Sequence, residues 1–264
     1  ELDKFYNYKL TFIDIKNNKT KAMSPNTVRK LNTFLKAAFN YAVANNLVQS
    51  NPATRVVLPK KTDFKPTVYN EDQFLSLLDA VSGTDDEIPI LLGAGCGLRR
   101  GEIFGLSWKN VDFKNKTLTI ENTCVRFNEY TEKKPKTESS KRTITLPAYV
   151  VDALRLYKIK SKHSLLDDKV VYKWKPNAYS ERFVKLLKKH GLERIRLHDL
   201  RHYNAVIMMK RGIPDKVAAD RLGHSTITTL RNVYQHVLKD MDQTAAVEIN
   251  DMFERKSSHQ TKKA

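Results

Sequence analysis

The hydrophobic pattern of this 264-residue chain is helical over most of its length and switches to a period of two between Thr117 and Leu146. Apolar residues three and four apart line one face of an α-helix, whereas strict alternation lines one face of a strand. Val28, Leu31, Leu35, Ala38 and Ala42 obey the first rule; Thr117–Glu121, Thr123–Phe127 and Arg142–Leu146 obey the second. The expected fold is mainly α with a small antiparallel β-sheet built from those three strands.

Local signals divide the chain. Leu2, Phe5, Tyr6 and Leu10 predict a first helix, and Ser24-Pro25 supplies the cap and first residue of a second, which fades near Asn45-Asn46. Residues 1–54 thus read as a small helical domain. Two helices bury little core, and the chain opens on Glu1 rather than Met, so this domain is expected to lack N-terminal residues. Residues 55–67, with Pro59, Pro66 and four positive charges, predict an extended, solvated linker. A second domain over 68–254 begins with a capped helix at Glu71–Val81, then two helices in Ile88–Leu106 hinged at Gly95-Cys96-Gly97. Asn128–Lys141 reads as a polar, lysine-rich loop. Helices follow at about 148–160, 180–190, 199–211, 214–222, 226–237 and 240–254, and the basic stretch 255–264 is expected to be disordered.

Forty-seven Lys and Arg face 29 Asp and Glu, a net charge of +18 and a pI near 9.7. Twelve of those cations and only four acids fall in the first 66 residues. Such an excess repels itself in a compact state unless an anion neutralises it, which points to nucleic acid or an anionic membrane surface. The longest apolar stretch, Ile88–Leu98, is broken by three glycines and is about half the roughly 20 residues a spanning helix needs. There is no signal-peptide pattern. Two cysteines, Cys96 and Cys124, fit neither a disulfide framework nor a zinc site, so a reducing cytoplasm is expected.

Several cationic groups stand beside turn signals. Arg99 follows Gly97, with Glu102 three residues on, placed to orient its guanidinium. Taken alone, such a pair is as well read as a surface salt bridge. His198 and Arg201 share a helix face near an N-terminus, where free N–H groups favour phosphate; a capped helix start with a solvent-facing arginine is the plainer alternative. His198 and His202 have metal-ligand spacing, but no third ligand accompanies them. Lys133, Lys134, Lys136 and Lys141 read by themselves as a solvated basic loop, and Tyr234 as a helix-face packing residue. No phosphate-binding Gly-x-x-x-x-Gly-Lys loop is present, and Asp85-Asp86-Glu87 and Asp167-Asp168 read as solvated turns.

Taken in order, Gly97-Leu98-Arg99 with Glu102, Lys136-Thr137, His198 with Arg201, Leu222-Gly223-His224 and Tyr234 resemble the signature of the tyrosine recombinase (phage integrase) superfamily, as found in integrases of prophages and conjugative transposons. The resemblance covers residues 67–254; Ser24–Pro52, with Phe39–Val43 and Asn51-Pro52-Ala53, looks like the end of that family's core-binding domain. It implies a two-domain architecture, a helical core-binding domain plus a mixed α/β catalytic domain. It also implies site-specific cleavage and rejoining of DNA through a 3′-phosphotyrosyl link, to integrate and excise a mobile element. Tyr234 would be the nucleophile, His198 the base, Lys136 the general acid, and Arg99, Arg201 and His224 the donors to the phosphate, with Glu102 supporting. Neither metal, ATP nor another cofactor is implied. The implied partners are double-stranded DNA attachment sites, an excisionase or host DNA-bending protein, and three further copies in a homo-tetramer. The helix from Asp240, with Met241, Ala245, Ile249, Met252 and Phe253 near one face, reads by itself as an internal core helix, and the resemblance implies instead that it docks on a neighbouring copy. The implied location is the bacterial cytoplasm, at the nucleoid. A type IB topoisomerase and a non-cleaving DNA-binding protein remain alternatives.

Overall fold

The computed structural model describes residues 1–14, 19–20, 22–62, 67–121, 123–126, 130–133, 141–161, 169–223, 246–247 and 250. The chain divides into two compact units, Glu1–Lys65 and Pro66–Ala264. Among the described residues no helix is long and apolar enough to cross a membrane.

In the first unit α1 (Leu2–Thr11) packs on α2 (Pro25–Ala44), and a short hairpin, β1 (Ile13–Asp14) with β2 (Lys19–Thr20), lies between them in sequence. Ser24 caps α2 by accepting the Thr27 amide at 3.2 Å, with proline at the first helical position. The core is small: Tyr6, Val28 and Ala53 are buried, and the Tyr6 hydroxyl donates to buried Asn32 Oδ1 at 3.0 Å. Residues 56–62 form neither helix nor strand. They are nevertheless tied to α2, because Arg29 donates to the Pro59 carbonyl and Asn26 pairs with the Thr62 backbone in both directions.

The second unit opens with α3 (Glu71–Val81), whose start is a capping box in which Asn70 and Gln73 each accept the other's amide. α4 (Glu87–Ala94) is buried all round, and α5 (Arg100–Gly105) follows across the turn at 95–99. The remaining helices are α6 (Ala148–Lys160), α7 (Pro176–Lys189), α8 (Leu197–Lys210) and α9 (Asp215–Leu222). α7 starts four residues before the expected 180 because Pro176 occupies its first position. One contiguous core joins α3 to α8 through Leu77, Ile90, Leu92, Ile103, Leu118, Leu154, Phe183 and Leu200. A smaller cluster of Ala205, Val206, Met209, Ala218 and Leu222 docks α9 on α8.

The strands differ from the expectation in their partners. The three-stranded antiparallel sheet is β3 (Val111–Asp112), β4 (Thr117–Ile120) and β7 (Arg142–Thr145), with buried Leu118 opposite both Val111 and Ile144. β5 (Thr123–Arg126), expected as the third strand of that sheet, instead pairs with β6 (Tyr130–Lys133), inside the stretch expected to be loop. β5 packs closely on α5 instead: a Cβ at Gly101 would lie 2.7 Å from Thr123 Cγ2 and 2.9 Å from the Cys124 carbonyl, so β5 runs against that helix. Alternation reports which face of a strand is buried and leaves its neighbour open. Among the described residues neither Cys96 nor Cys124 forms a disulfide. The expected helix at 226–237, nearly all of that at 240–254 and the tail at 255–264 lie outside the described residues.

Candidate active site

The site grows from the turn between α4 and α5. Gly97 has φ of +67°, a left-handed conformation that costs an L-residue about 1–2 kcal/mol. A Cβ there would come within 2.5 Å of Leu222 Cδ2 and 2.8 Å of Asn204 Oδ1, so only glycine lets α8 and α9 approach this turn. Asn204, one turn beyond Arg201 on α8, donates to the Ala94 carbonyl at 2.6 Å and fixes α8 against the end of α4.

Arg99 stands at the N-cap of α5. The Glu102 carboxylate accepts both the Arg99 amide and its Nη1, each at 2.8 Å, while Arg99 Nη2 donates to the Gly223 carbonyl at 2.6 Å. Glu102 also receives both terminal nitrogens of Arg142, at 3.1 and 2.9 Å. Its carboxylate is 4% exposed. Burial opposes its ionisation, but hydrogen bonds from Arg142 and the Arg99 backbone, together with both positive charges, hold its pKa down at about 2.

Arg201 is 2% exposed, with Nη1 on the Gly97 carbonyl and Nη2 on the Leu222 carbonyl, both at 2.6 Å. Arg142 Nε donates to the Arg221 carbonyl at 2.8 Å. The last three carbonyls of α9 and its cap, those of Arg221, Leu222 and Gly223, therefore receive Arg142, Arg201 and Arg99 in turn. A helix C-terminus leaves such carbonyls without intrahelical partners and carries partial negative charge. Among the described residues, three guanidiniums collect there against the Glu102 carboxylate. They leave a local positive excess beside Gly223, whose φ of +65° ends α9 in an αL cap.

α8 begins with a similar device: buried Asp199 accepts the Arg196 amide at 2.7 Å and its guanidinium at 2.6 Å. This anchors the first turn, from which His198 projects to an exposed position. The protein behind its ring and the Arg201 charge lower the His198 pKa. His202, one turn on, meets the His198 ring edge-on at 5.0 Å between centroids, and burial with the neighbouring His198 pushes its pKa down to about 4. Among the described residues no group of three or more His, Cys, Asp or Glu is placed to hold a metal ion.

Of the residues singled out from sequence, the structure brings Arg99, Glu102, His198 and Arg201 together. Lys136, His224 and Tyr234 lie outside the described residues, although His224 directly follows Gly223 in the chain. Sequence reasoning missed Arg142 as a member of the site. It was visible only as a strand residue, and its partners are 40 and 79 positions away.

Three arginines gathered at the end of one helix on this mixed helical scaffold define a class, and the comparisons agree. Residues 67–241 match the phage integrase family, and the chain belongs to it, within the tyrosine recombinase superfamily. Similar curated proteins include a tyrosine recombinase XerC-like protein of Caldanaerobacter subterraneus subsp. tengcongensis, 28% identical over 265 residues, covering 87% of this chain and 67% of the relative. The ICEBs1 integrase of Bacillus subtilis is 22% identical over 249 residues, with the same two shares. The chain spans about two thirds of the length of these relatives. The fold is shared with the Tn1549 transposon integrase, solved with a circular intermediate DNA, at a TM-score of 0.70 and 24% identity over 92% of this chain and 85% of that one. It is also shared with a lambda integrase dimer solved on a COC′ core site, at a TM-score of 0.64 and 18% identity over 88% and 77%.

Proposed function

We propose that this chain is a site-specific DNA recombinase that cuts and rejoins duplex DNA through a 3′-phosphotyrosyl intermediate, moving a mobile element into and out of a chromosome. The observation that carries the reading is the convergence of Arg99, Arg142 and Arg201 on the end of α9, one residue before His224. Arg99, with a 38% exposed side chain, and Arg201 are the forks for the phosphate, whose non-bridging oxygens gain negative charge in the pentavalent transition state. His224 adds a donor. Each such donor is worth roughly 10²–10³ in rate.

Tyrosine titrates near 10, so Tyr234 needs help to attack at neutral pH. His198, whose pKa is lowered by the protein behind its ring and by Arg201, takes the phenolic proton as the oxygen bonds to phosphorus. The P–O5′ bond breaks and Lys136 protonates the departing oxygen. The phosphotyrosyl link retains the energy of the phosphodiester, and rejoining is the same step reversed, with the 5′-hydroxyl as nucleophile.

Residues 1–54 serve in this reading as the core-type DNA-binding domain, 55–67 as a basic linker and 68–254 as the catalytic domain, with four copies assembling on paired sites. The charge of +18 supports an electrostatic grip on DNA. With six to ten phosphates contacted, affinity falls by roughly 10³–10⁵ between 50 and 200 mM salt.

The test is a duplex nicked near a candidate attachment site, so that cleavage is irreversible. Wild-type protein should give a covalent protein–DNA band on a denaturing gel without divalent metal, and Tyr234→Phe should not. A band that survives Tyr234→Phe places the nucleophile elsewhere. A duplex bound without any band leaves a DNA-binding protein.

A further inference from the structure

We propose that Arg142 is a positioning residue of this site: by gripping Glu102 and the last turn of α9 together, it fixes Arg99 and the chain entering His224 in the geometry that strand transfer requires. The inference rests on the recombinase reading above.

Arg142 is engaged by the protein through its whole guanidinium, and it is the group that shares a carboxylate with Arg99. Its side chain is 7% exposed, and Nε and both Nη atoms all donate to protein oxygens. Its bidentate fork occupies both oxygens of Glu102, and those same oxygens hold the Arg99 amide and guanidinium. The carboxylate is thus a shared hinge pin, and Arg142 sets its plane. The remaining donor, Nε, holds the Arg221 carbonyl, so the next two carbonyls are presented to Arg201 and Arg99. Gly223 closes over the same guanidinium: a Cβ there would lie 2.9 Å from Arg142 Nη1. Arg142 is also the first residue of β7, paired with Ile120, and stands six positions after Lys136. One planar group thereby joins α5, α9 and the strand that follows the lysine segment. A lysine has neither the fork nor a third fixed donor to replace it.

The test follows irreversible cleavage of the nicked duplex in single turnover, with DNA affinity and unfolding measured beside it. The variants are Arg142→Ala, Arg142→Lys and the double variant Arg142→Ala/Glu102→Gln. The double variant removes the buried carboxylate charge that the alanine leaves half-paired, and so guards against simple misfolding. All three are expected to cleave roughly 10- to 100-fold more slowly, by analogy with the loss when a group orienting a metal ligand is removed, with DNA affinity unchanged. The double variant should regain stability over Arg142→Ala without regaining rate. Cleavage that recovers in step with stability makes the role merely structural and overturns the inference. So does a wild-type rate in Arg142→Lys, or a loss of DNA affinity matching the loss of rate, which would make Arg142 a DNA contact. A wild-type adduct that is undiminished in Arg142→Ala defeats this inference alone. No adduct from the wild type on a bound duplex defeats the recombinase reading and this inference with it.

Discussion

Arg201 and Arg99 donate to adjacent peptide carbonyls, those of Leu222 and Gly223, each at 2.6 Å. Arg201 comes from the first turns of α8 and Arg99 from the turn before α5, 102 positions apart in the chain. Their relative placement is set by the end of α9 together with the bond from Arg201 to the Gly97 carbonyl, in the turn that carries Arg99. Like charges are held close because each faces a carbonyl dipole, and because Glu102 and the α9 terminus supply the compensating negative charge. The same arrangement makes the site sensitive to substitutions that touch no DNA.

Glu102 is the first such position. Its pKa is lowered from 4.5 to about 2, so its contribution to stability is complete above about pH 4.5 and is lost as pH falls toward 2. Between pH 7 and pH 3 this group alone accounts for about 2 kcal/mol of the decline. Glu102→Gln should be less stable at pH 7, where it leaves buried Arg142 without a counter-charge, and should show a shallower acid decline in urea unfolding. An acid decline as steep as that of the wild type would show that Glu102 is not ionised in the fold.

Gly97 is the second. Gly97→Ala should lose about 1–2 kcal/mol from the left-handed backbone alone, plus the cost of displacing Leu222 and Asn204. Gly191 provides the comparison: its φ is +66°, but nothing lies within 4 Å of the place its Cβ would take, so Gly191→Ala should carry the conformational cost only. Urea midpoints of the two variants measure the packing contribution as their difference. Equal losses would mean that the turn and α9 do not pack as described.

The parts of this architecture that sequence foreshadows are those with local causes. Ser24-Pro25 and Asn70 with Gln73 announce their helices because a cap is satisfied within three residues. Arg99 and Glu102 are recognisable for the same reason, being partners across one helical turn. Arg142 is not, since its environment comes from Glu102 and Arg221, which only the folded chain brings near. Nor does the alternation in Thr123–Arg126 reveal its partner, because it reports only which face is buried, and the close approach of β5 to Gly101 on α5 arises only in the folded chain. The spacing of His198 and Arg201 indicates a shared face, but the buried Asp199 that anchors their helix start reads in sequence as an ordinary acid.

In the first unit the polar pair Tyr6–Asn32 sits where the small core has little to spare. Tyr6→Phe keeps the ring and removes the donor, leaving Asn32 Oδ1 without that bond, at a cost of about 1–3 kcal/mol. Adding Asn32→Leu removes the stranded acceptor and should recover part of the loss. Thermal unfolding of the single and double variants checks this, and a double variant less stable than the sum of the singles would exclude the pairing as its source.

In the proposed mechanism the histidines of α8 carry the pH dependence nearest to the chemistry. His198 is lowered below 6.5 by the protein behind its exposed ring and by Arg201, and His202 falls to about 4 by burial and by His198. For a histidine with a lowered folded-state pKa the neutral form is the native one. The stability it contributes is present above about pH 6.5 and is lost as pH falls through the folded value. Both rings should therefore be neutral at pH 7, and His198 able to accept a proton from Tyr234 without first losing one. Side-chain NMR titration should show both midpoints below 6.5, with His202 the lower. The cleavage rate should be level through neutral pH and fall on the acid side as His198 protonates. A His198 midpoint above 7 would leave the ring largely charged at pH 7, and would remove it from the role of base in favour of a donor to the phosphate.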